Sequence, residues 1–179
     1  LFEKHKLADT LFDEPWIQKL KPQHSQVASG NLSELPGTAL THHEIASLGI
    51  RINPSALRHA QTDHDSFAAS LINLASLLKV SVNASRFENQ LGHHQSISAL
   101  LIAELLEEFG FTCQNLQAKL DDLPNQTLPA LIMLGKRLSI LIKVKPKKEY
   151  LIHEPSQGFI RMNHEEFIAH WDQTFIEVQ

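Results

Sequence analysis

The sequence predicts an α+β protein in which N-terminal helices pack on a C-terminal antiparallel sheet. Two observations lead to this prediction. Between Asp63 and Gly110 apolar residues recur at helical spacing, whereas after Gly110 short β-rich apolar runs alternate with turn residues. Helices that precede an antiparallel sheet along the chain are typical of the α+β class.

Three helices are predicted before Gly110. The first begins at an N-cap formed by Asp63, Asp65 or Ser66, and the third begins at Ser96. Gly110 ends the third helix because glycine adopts the left-handed conformation that commonly follows a helix. The apolar positions that define the three helices are Phe67, Leu71, Leu74, Leu77 and Leu78, then Phe87 and Leu91, then Ile97, Leu100, Leu101, Leu105 and Phe109.

The segment after Gly110 predicts a sheet. Gly135-Lys136-Arg137 and Pro146-Lys147-Lys148 mark turns between apolar runs, and Asn163 caps one further helix that extends to Trp171. The predicted strands span residues 111–116, 128–134, 138–144, 150–153, 159–162 and 174–178.

Residues 1–60 have a different pattern and are predicted to form a partly helical extension or linker, with the main domain spanning residues 61–179. Short helices are expected over residues 2–12 and 15–20, and a loop is expected over residues 22–38. Thr41 and Glu44 form a capping-box pattern that predicts a further short helix.

Bulk properties exclude several classes. The net charge of −4 gives no basic field for nucleic acid, so that partner is not expected. The single cysteine, Cys113, allows no internal disulfide and fits a reducing compartment. No secretory signal is visible, and no apolar run approaches the ~20 residues that span a bilayer. The chain begins at a leucine and is expected to be a piece of a longer protein.

Several spaced motifs between Asp65 and Val178 resemble the double-glycine-leader, or bacteriocin-processing, cysteine peptidase domain of bacterial ABC exporters. This resemblance implies a papain-like fold. The motifs that carry it are Ala68-Ala69-Ser70-Leu71, the helix that ends at Gly110, Leu128-Pro129-Ala130-Leu131, Glu154-Pro155-Ser156-Gln157-Gly158, and Phe167 with Trp171.

The resemblance also implies where a reaction centre would lie. Ser66, or His64 if the helix starts earlier, stands at the nucleophile position. Arg137 lies where the catalytic histidine is expected, and Glu154 replaces the orienting aspartate. Gln61 corresponds to the oxyanion-hole glutamine with its spacing shifted by about one residue. A serine hydroxyl needs a hydrogen-bonded base, and no imidazole occupies that position, so no peptide cleavage is expected.

The motifs of a peptidase domain, present without its nucleophile and base, predict a degenerate domain that binds a polypeptide. By resemblance, it recognises or tethers an unfolded secreted protein at the cytoplasmic face of a type I secretion exporter. Its further partners are the exporter's transmembrane and nucleotide-binding domains. The expected substrate-binding residues are Gln61, Ser66, Arg137, Glu154 and Trp171. No cofactor is expected on this chain, and ATP would bind elsewhere because no phosphate-binding loop is present.

Three alternatives stay open at this point. The chain could be an active hydrolase that uses Ser66 or Cys113, a module that gates its own transporter without touching substrate, or a stand-alone adaptor. The eleven histidines show no metal-ligand spacing, so no metal site is expected. Lys143, Lys145, Lys147 and Lys148 are expected to form a solvated hairpin end, with contact to anionic lipid or an acidic substrate as the alternative.

Overall fold

The computed structural model describes residues 34–179, so the predicted helices over residues 2–12 and 15–20 lie outside the described residues. The part of the chain that is described contains an antiparallel sheet with helices on both faces. The five α-helices are α1 (His42–Ser47), α2 (Asp65–Leu77), α3 (Ala84–Gly92), α4 (Ala99–Glu108) and α5 (His164–His170). Two 3₁₀ helices span Pro54–Ala56 and Leu120–Asn125.

One sheet of seven strands is formed by residues 34–179, in the order β1-β6-β5-β4-β3-β7-β2. Adjacent strands pair in antiparallel fashion throughout. The strands are β1 (Thr38–Ala39), β2 (Cys113–Gln114), β3 (Ala130–Leu134), β4 (Arg137–Lys145), β5 (Glu149–Glu154), β6 (Gly158–Met162) and β7 (Trp171–Val178). The long strand β4 lies at the centre of the sheet, and the two-residue strands β1 and β2 form its edges.

Each face of the sheet carries its own apolar core. Helices α2, α3 and α4 cover one face, where Leu71 and Phe87 pack against Leu131 and Ile140. On the opposite face Phe167 of α5 packs with strand residues such as Ile132. Leu131 and Ile132 fall in different cores because successive residues of a strand point to opposite faces.

Several local predictions are confirmed. Thr41 and Asn163 each cap a helix in a capping box, as their sequence patterns indicate. Gly110 follows α4 with a φ of +88°, the left-handed conformation expected of a residue that ends a helix.

Two predicted N-caps are wrong. His64 occupies the N-cap position of α2 without a capping side-chain bond, and the hydroxyl of Thr62 accepts from the Asp65 N–H instead. Helix α4 is capped by Ser98, whose hydroxyl accepts a hydrogen bond from the Leu101 N–H, and not by Ser96.

Residues before position 61 also contribute to this fold. Thr38 and Ala39 pair with Arg161 and Ile160 of β6, so the end of the predicted 22–38 loop is a strand. Leu35 is buried in the same core as Phe167, and its backbone N–H and C=O both bind the side-chain amide of Gln157.

Candidate functional site

The first turn of α2 lies against the start of the central strand β4. This junction brings together Ser66, Arg137 and Glu154, the three residues that the family resemblance predicts to be relict site positions. Ser66 is fully buried there. Its hydroxyl donates a hydrogen bond to the Asp63 carbonyl at 2.5 Å and accepts one from the Leu138 N–H at 3.0 Å. Both partners are backbone groups, so these contacts are structural ones that bind the helix start to the strand.

A second serine on the same helix face completes this contact. Ser70 lies one helical turn after Ser66, and its hydroxyl donates to the Leu138 carbonyl at 2.6 Å. Continuing the register of Ile140 and His153 places Pro155, which has no N–H, opposite Leu138. The two serines therefore supply hydrogen bonds to Leu138 at the point where the β4–β5 ladder ends.

Arg137, the residue before Leu138, forms the centre of a charged cluster. Its Nε donates to Asp63 Oδ1 at 2.9 Å, and its Nη1 lies 3.7 Å from Glu154 Oε2 and 3.4 Å from Ser156 Oγ. The Arg137 and Glu154 side chains are only 3% and 0% exposed. Burying either charge alone is costly, and their mutual contact offsets part of this cost.

The Glu154 carboxylate has further donors on its own turn. The Ser156 N–H donates to Oε1 at 3.1 Å, and the Ser156 hydroxyl donates to Oε2. Both Glu154 oxygens therefore accept hydrogen bonds from Ser156, on the side chain that also faces Arg137. The cluster thus combines one cation, two carboxylates and a serine hydroxyl.

The other two predicted site residues are Gln61 and Trp171. Gln61 is exposed in the loop that precedes α2. Trp171 is buried on the opposite face of the sheet, where its ring packs against Phe167 and its indole N–H donates to the Thr174 carbonyl. Ser66, Arg137 and Glu154 therefore lie together, whereas Trp171 faces another surface.

Sequence reasoning missed three residues of the cluster region. Asp63 was considered only as a helix cap, and Ser70 and Ser156 were given no role, yet each contacts the start of β4 or its charged residue. The signal available in the sequence is the spacing of Ser66 and Ser70, since two serines four residues apart share one face of a helix.

A groove of 410 Å³ lies beside the cluster, between the start of α2, the loop before α4 and the β3–β4 turn. Its apolar side chains are Phe67, Ile97 and Met133, and Lys136 lies at its rim. His64 Nε2 lies 3.0 Å from the His94 carbonyl and joins the two sides of the groove. The residues that line the groove are Asp63, His64, Phe67, Gln95, Ser96, Ile97, Met133, Gly135 and Lys136.

Cys113, the alternative nucleophile, lies on edge strand β2 and is partly buried. Burial raises the pKa of the Cys113 thiol to about 11, and the Glu107 carboxylate adds to the effect. A high pKa disfavours the thiolate, the form that attacks carbonyl carbon.

The described residues include no group of three or more histidine, cysteine or acidic side chains placed to hold a metal ion. Within residues 34–179 no helix has the length and apolar character needed to cross a membrane.

The fold is that of the papain-like class. The chain belongs to the peptidase C39 family, whose sequence model matches residues 49–179. No curated protein sequence matches the chain.

Solved structures show the same fold. A double-glycine motif protease from an AMS/PCAT transporter, solved with its leader peptide, is similar with a TM-score of 0.62 and 18% identity. The match covers 68% of this chain and 89% of that one. The peptidase domain of Streptococcus ComA, a bifunctional ABC transporter of a quorum-sensing pathway, is similar with a TM-score of 0.59 and 20% identity over 68% and 96% of the two chains.

A third similar structure is the N-terminal peptidase C39-like domain of a toxin-secretion ATP-binding protein from Vibrio parahaemolyticus. Its TM-score is 0.55 and its identity 18%, over 67% of this chain and 98% of that one. These likenesses establish the fold, and the papain-like prediction is confirmed.

Proposed function

We propose that this chain is a non-catalytic peptidase-like domain that binds an unfolded polypeptide for export by a type I secretion ABC transporter. The observation that carries the proposal is the state of Ser66. Its hydroxyl already donates to the Asp63 carbonyl and accepts from the Leu138 N–H. A nucleophilic serine needs a base that removes its proton, and a backbone carbonyl cannot take that role.

The charge of the cluster supports the same proposal. A guanidinium carries only N–H donors and no acceptor, so Arg137 cannot act as a base toward a neighbouring hydroxyl. Glu154, which would orient an imidazole in an active enzyme, instead contacts Arg137 and Ser156. The three relict positions thus form an ion-pair and hydrogen-bond cluster in place of a proton-transfer chain.

The groove beside the cluster is the surface where we place the polypeptide. Phe67, Ile97 and Met133 supply apolar contacts, and the polar rim that includes Gln95 and Ser96 can bind the main chain of an extended segment. An unfolded chain exposes both apolar side chains and unpaired backbone groups, so it matches this lining. One of the similar structures, a double-glycine motif protease, was solved in complex with the leader peptide, which supports a peptide ligand in general terms.

The test uses the whole chain with two fluorescent probes, a leader peptide in which Gly-Gly is followed by further residues and a carboxymethylated, permanently unfolded model protein. We expect no cleavage of either probe by the wild-type chain and saturable binding of the unfolded protein. The substitution Ile97→Asp places a charge in the groove and should weaken binding by about tenfold or more.

Val80→Asp is the matched control, because Val80 is exposed beyond the far end of α2 and should leave binding unchanged. Turnover that disappears in Ser66→Ala or Cys113→Ala would identify an active hydrolase. Absence of saturable binding would favour a gating module that does not touch substrate.

A further inference from the structure

The sheet face opposite the groove has a second concave surface. One concavity, of 480 Å³, lies between the 3₁₀ helix Leu120–Asn125 and the β4–β5 hairpin. A second, of 240 Å³, lies beside α5 and the start of β7. Leu120 lines both, so the two concavities adjoin. We refer to their apolar lining as the apolar strip, which consists of Leu120, Pro124, Val144, Tyr150, Ile168 and Trp171.

An aromatic ladder holds the apolar strip in place. The Phe167 ring stacks on Tyr150 at 3.9 Å between ring centroids and packs on Trp171 at 5.2 Å. The Tyr150 hydroxyl lies 3.3 Å from His164 Nδ1, and the Trp171 indole donates to the Thr174 carbonyl. Because the buried parts of both rings are fixed by these contacts, the surface is formed before any ligand binds, which lowers the entropic cost of binding.

One residue of the apolar strip, Ile168, leaves much of its apolar side chain exposed to solvent. Ile168 on α5 is 48% exposed, although its neighbour Phe167 is fully buried. An exposed aliphatic side chain at the edge of a concavity, with Trp171 and Leu120 beside it, offers an anchor for an apolar side chain of a partner.

The charged side chains around the apolar strip favour an anionic ligand. The described residues that line the two concavities include three lysines, Lys119, Lys145 and Lys148, against one acidic residue, Asp121. Lys145 pairs with Glu149 at 3.1 Å, whereas Lys119 and Lys148 form no ion pair with any described residue. The two lysines without ion pairs lie in different concavities, so cations are present along the apolar strip.

We infer that the apolar strip binds an acidic peptide segment that carries apolar anchor residues, as a second docking surface separate from the groove. Apolar side chains of the segment fill the concavities against Leu120 and Tyr150, and its carboxylates contact Lys119 and Lys148. The inference goes beyond the proposed function, because the strip lies on the other face of the sheet and needs neither the groove nor the relict cluster.

The test measures fluorescence anisotropy of a short labelled peptide in which leucines recur three and four positions apart and glutamates fill the other positions. We expect saturable binding by the whole chain that weakens as salt is raised. Lys119→Glu combined with Lys148→Glu should weaken it by about tenfold, and Ile168→Asp should do the same through the loss of an apolar anchor. Circular dichroism checks that these exposed substitutions leave the fold intact.

Matched controls lie on the opposite face. Leu100→Asp changes an apolar residue that is 57% exposed, and Lys79→Glu reverses the charge of an exposed residue just after the end of α2. Both should bind the acidic peptide like the wild type, and a peptide with glutamine in place of glutamate should bind several-fold more weakly.

Equal binding of the glutamine peptide, equal loss in Lys79→Glu, or no saturable binding at millimolar concentration would each overturn the inference. The inference would also be overturned if binding of the peptide did not depend on Lys119 and Lys148, whereas binding of anionic vesicles, or of a second copy of the chain, did. The groove variant Ile97→Asp leaves the apolar strip intact and tests the proposed function alone. Failure of this inference and failure of the proposed function therefore give different results.

Discussion

Arg137 Nη1 and Glu154 Oε2 lie 3.7 Å apart in the protein interior, between two side chains that are 3% and 0% exposed. The pair joins the start of β4 to the end of β5, and Asp63 extends it to the loop that leads into α2. A site of this composition contributes to the structure of the domain, and its energetic contribution can be measured directly.

Replacing Arg137 should therefore destabilise the fold. Arg137→Met leaves the buried Glu154 carboxylate without its cation, and we expect a loss of about 3 kcal/mol in the free energy of unfolding. In the double variant Arg137→Met/Glu154→Gln the uncompensated charge is gone, so part of that loss should be recovered. Denaturant unfolding of the wild type, the two single variants and the double variant gives the coupling energy. Strictly additive losses would contradict the interaction.

The serines of α2 should matter for stability and not for turnover. Ser66→Ala leaves the Leu138 N–H without its partner, and Ser70→Ala does the same to the Leu138 carbonyl. Each is expected to cost about 1–3 kcal/mol, because a buried polar group loses its hydrogen bond. Ser76→Ala on the same helix removes an exposed hydroxyl that binds the Ile72 carbonyl, and should change stability by less than about 0.5 kcal/mol. Equal effects at all three serines would argue against the contact with Leu138.

His153 should make the fold sensitive to acid. Burial lowers the pKa of His153 from 6.5 to about 4, so the unfolded state binds a proton first as the pH falls. The stability that depends on neutral His153 is complete above about pH 6.5 and is lost as the pH falls toward 4, by up to about 3 kcal/mol.

The variant His153→Leu should lack this part of the pH dependence, whereas His93→Leu, at an exposed position, should keep it. Unfolding free energies at several pH values between neutral and acid give the comparison. Parallel pH profiles of the wild type and His153→Leu would show that the imidazole does not take part.

Cys113 should react slowly. With the pKa of its thiol raised to about 11, the thiolate fraction near pH 8 is about a hundredfold below that of a thiol with the ordinary value. Alkylation by iodoacetamide should therefore be slow in the native protein and fast after unfolding in denaturant. Native and unfolded rates that agree would refute the effect of burial on this thiol.

The sequence predicted the kinds of elements well because their signals are local. Helical spacing identified α2, in which Leu71 and Leu74 lie on the same buried side. The helix caps at Thr41 and Asn163 depend on residues only three positions apart. The strand β1 was not predicted because its two residues have no apolar pattern of their own. Its pairing with Ile160 and Arg161 of β6 depends on residues more than a hundred positions away.

The candidate site likewise contains residues that the sequence identifies and residues that only long-range contacts reveal. The family resemblance identified the positions of Ser66, Arg137 and Glu154, and the structure brings them to one junction. The contact between Asp63 and Arg137 could not be predicted from the sequence, since it joins residues 74 positions apart. Trp171 was grouped with the site from its motif, but the direction of a side chain at the end of a helix depends on the sheet face against which that helix packs.

The hydroxyls of Ser66 and Ser70 bind both backbone groups of one residue in the central strand. Such a two-point attachment prevents α2 from sliding along β4, because a shift of a single residue would break both bonds at once. Relative motion of the helical layer and the sheet at this junction therefore has to break both hydrogen bonds.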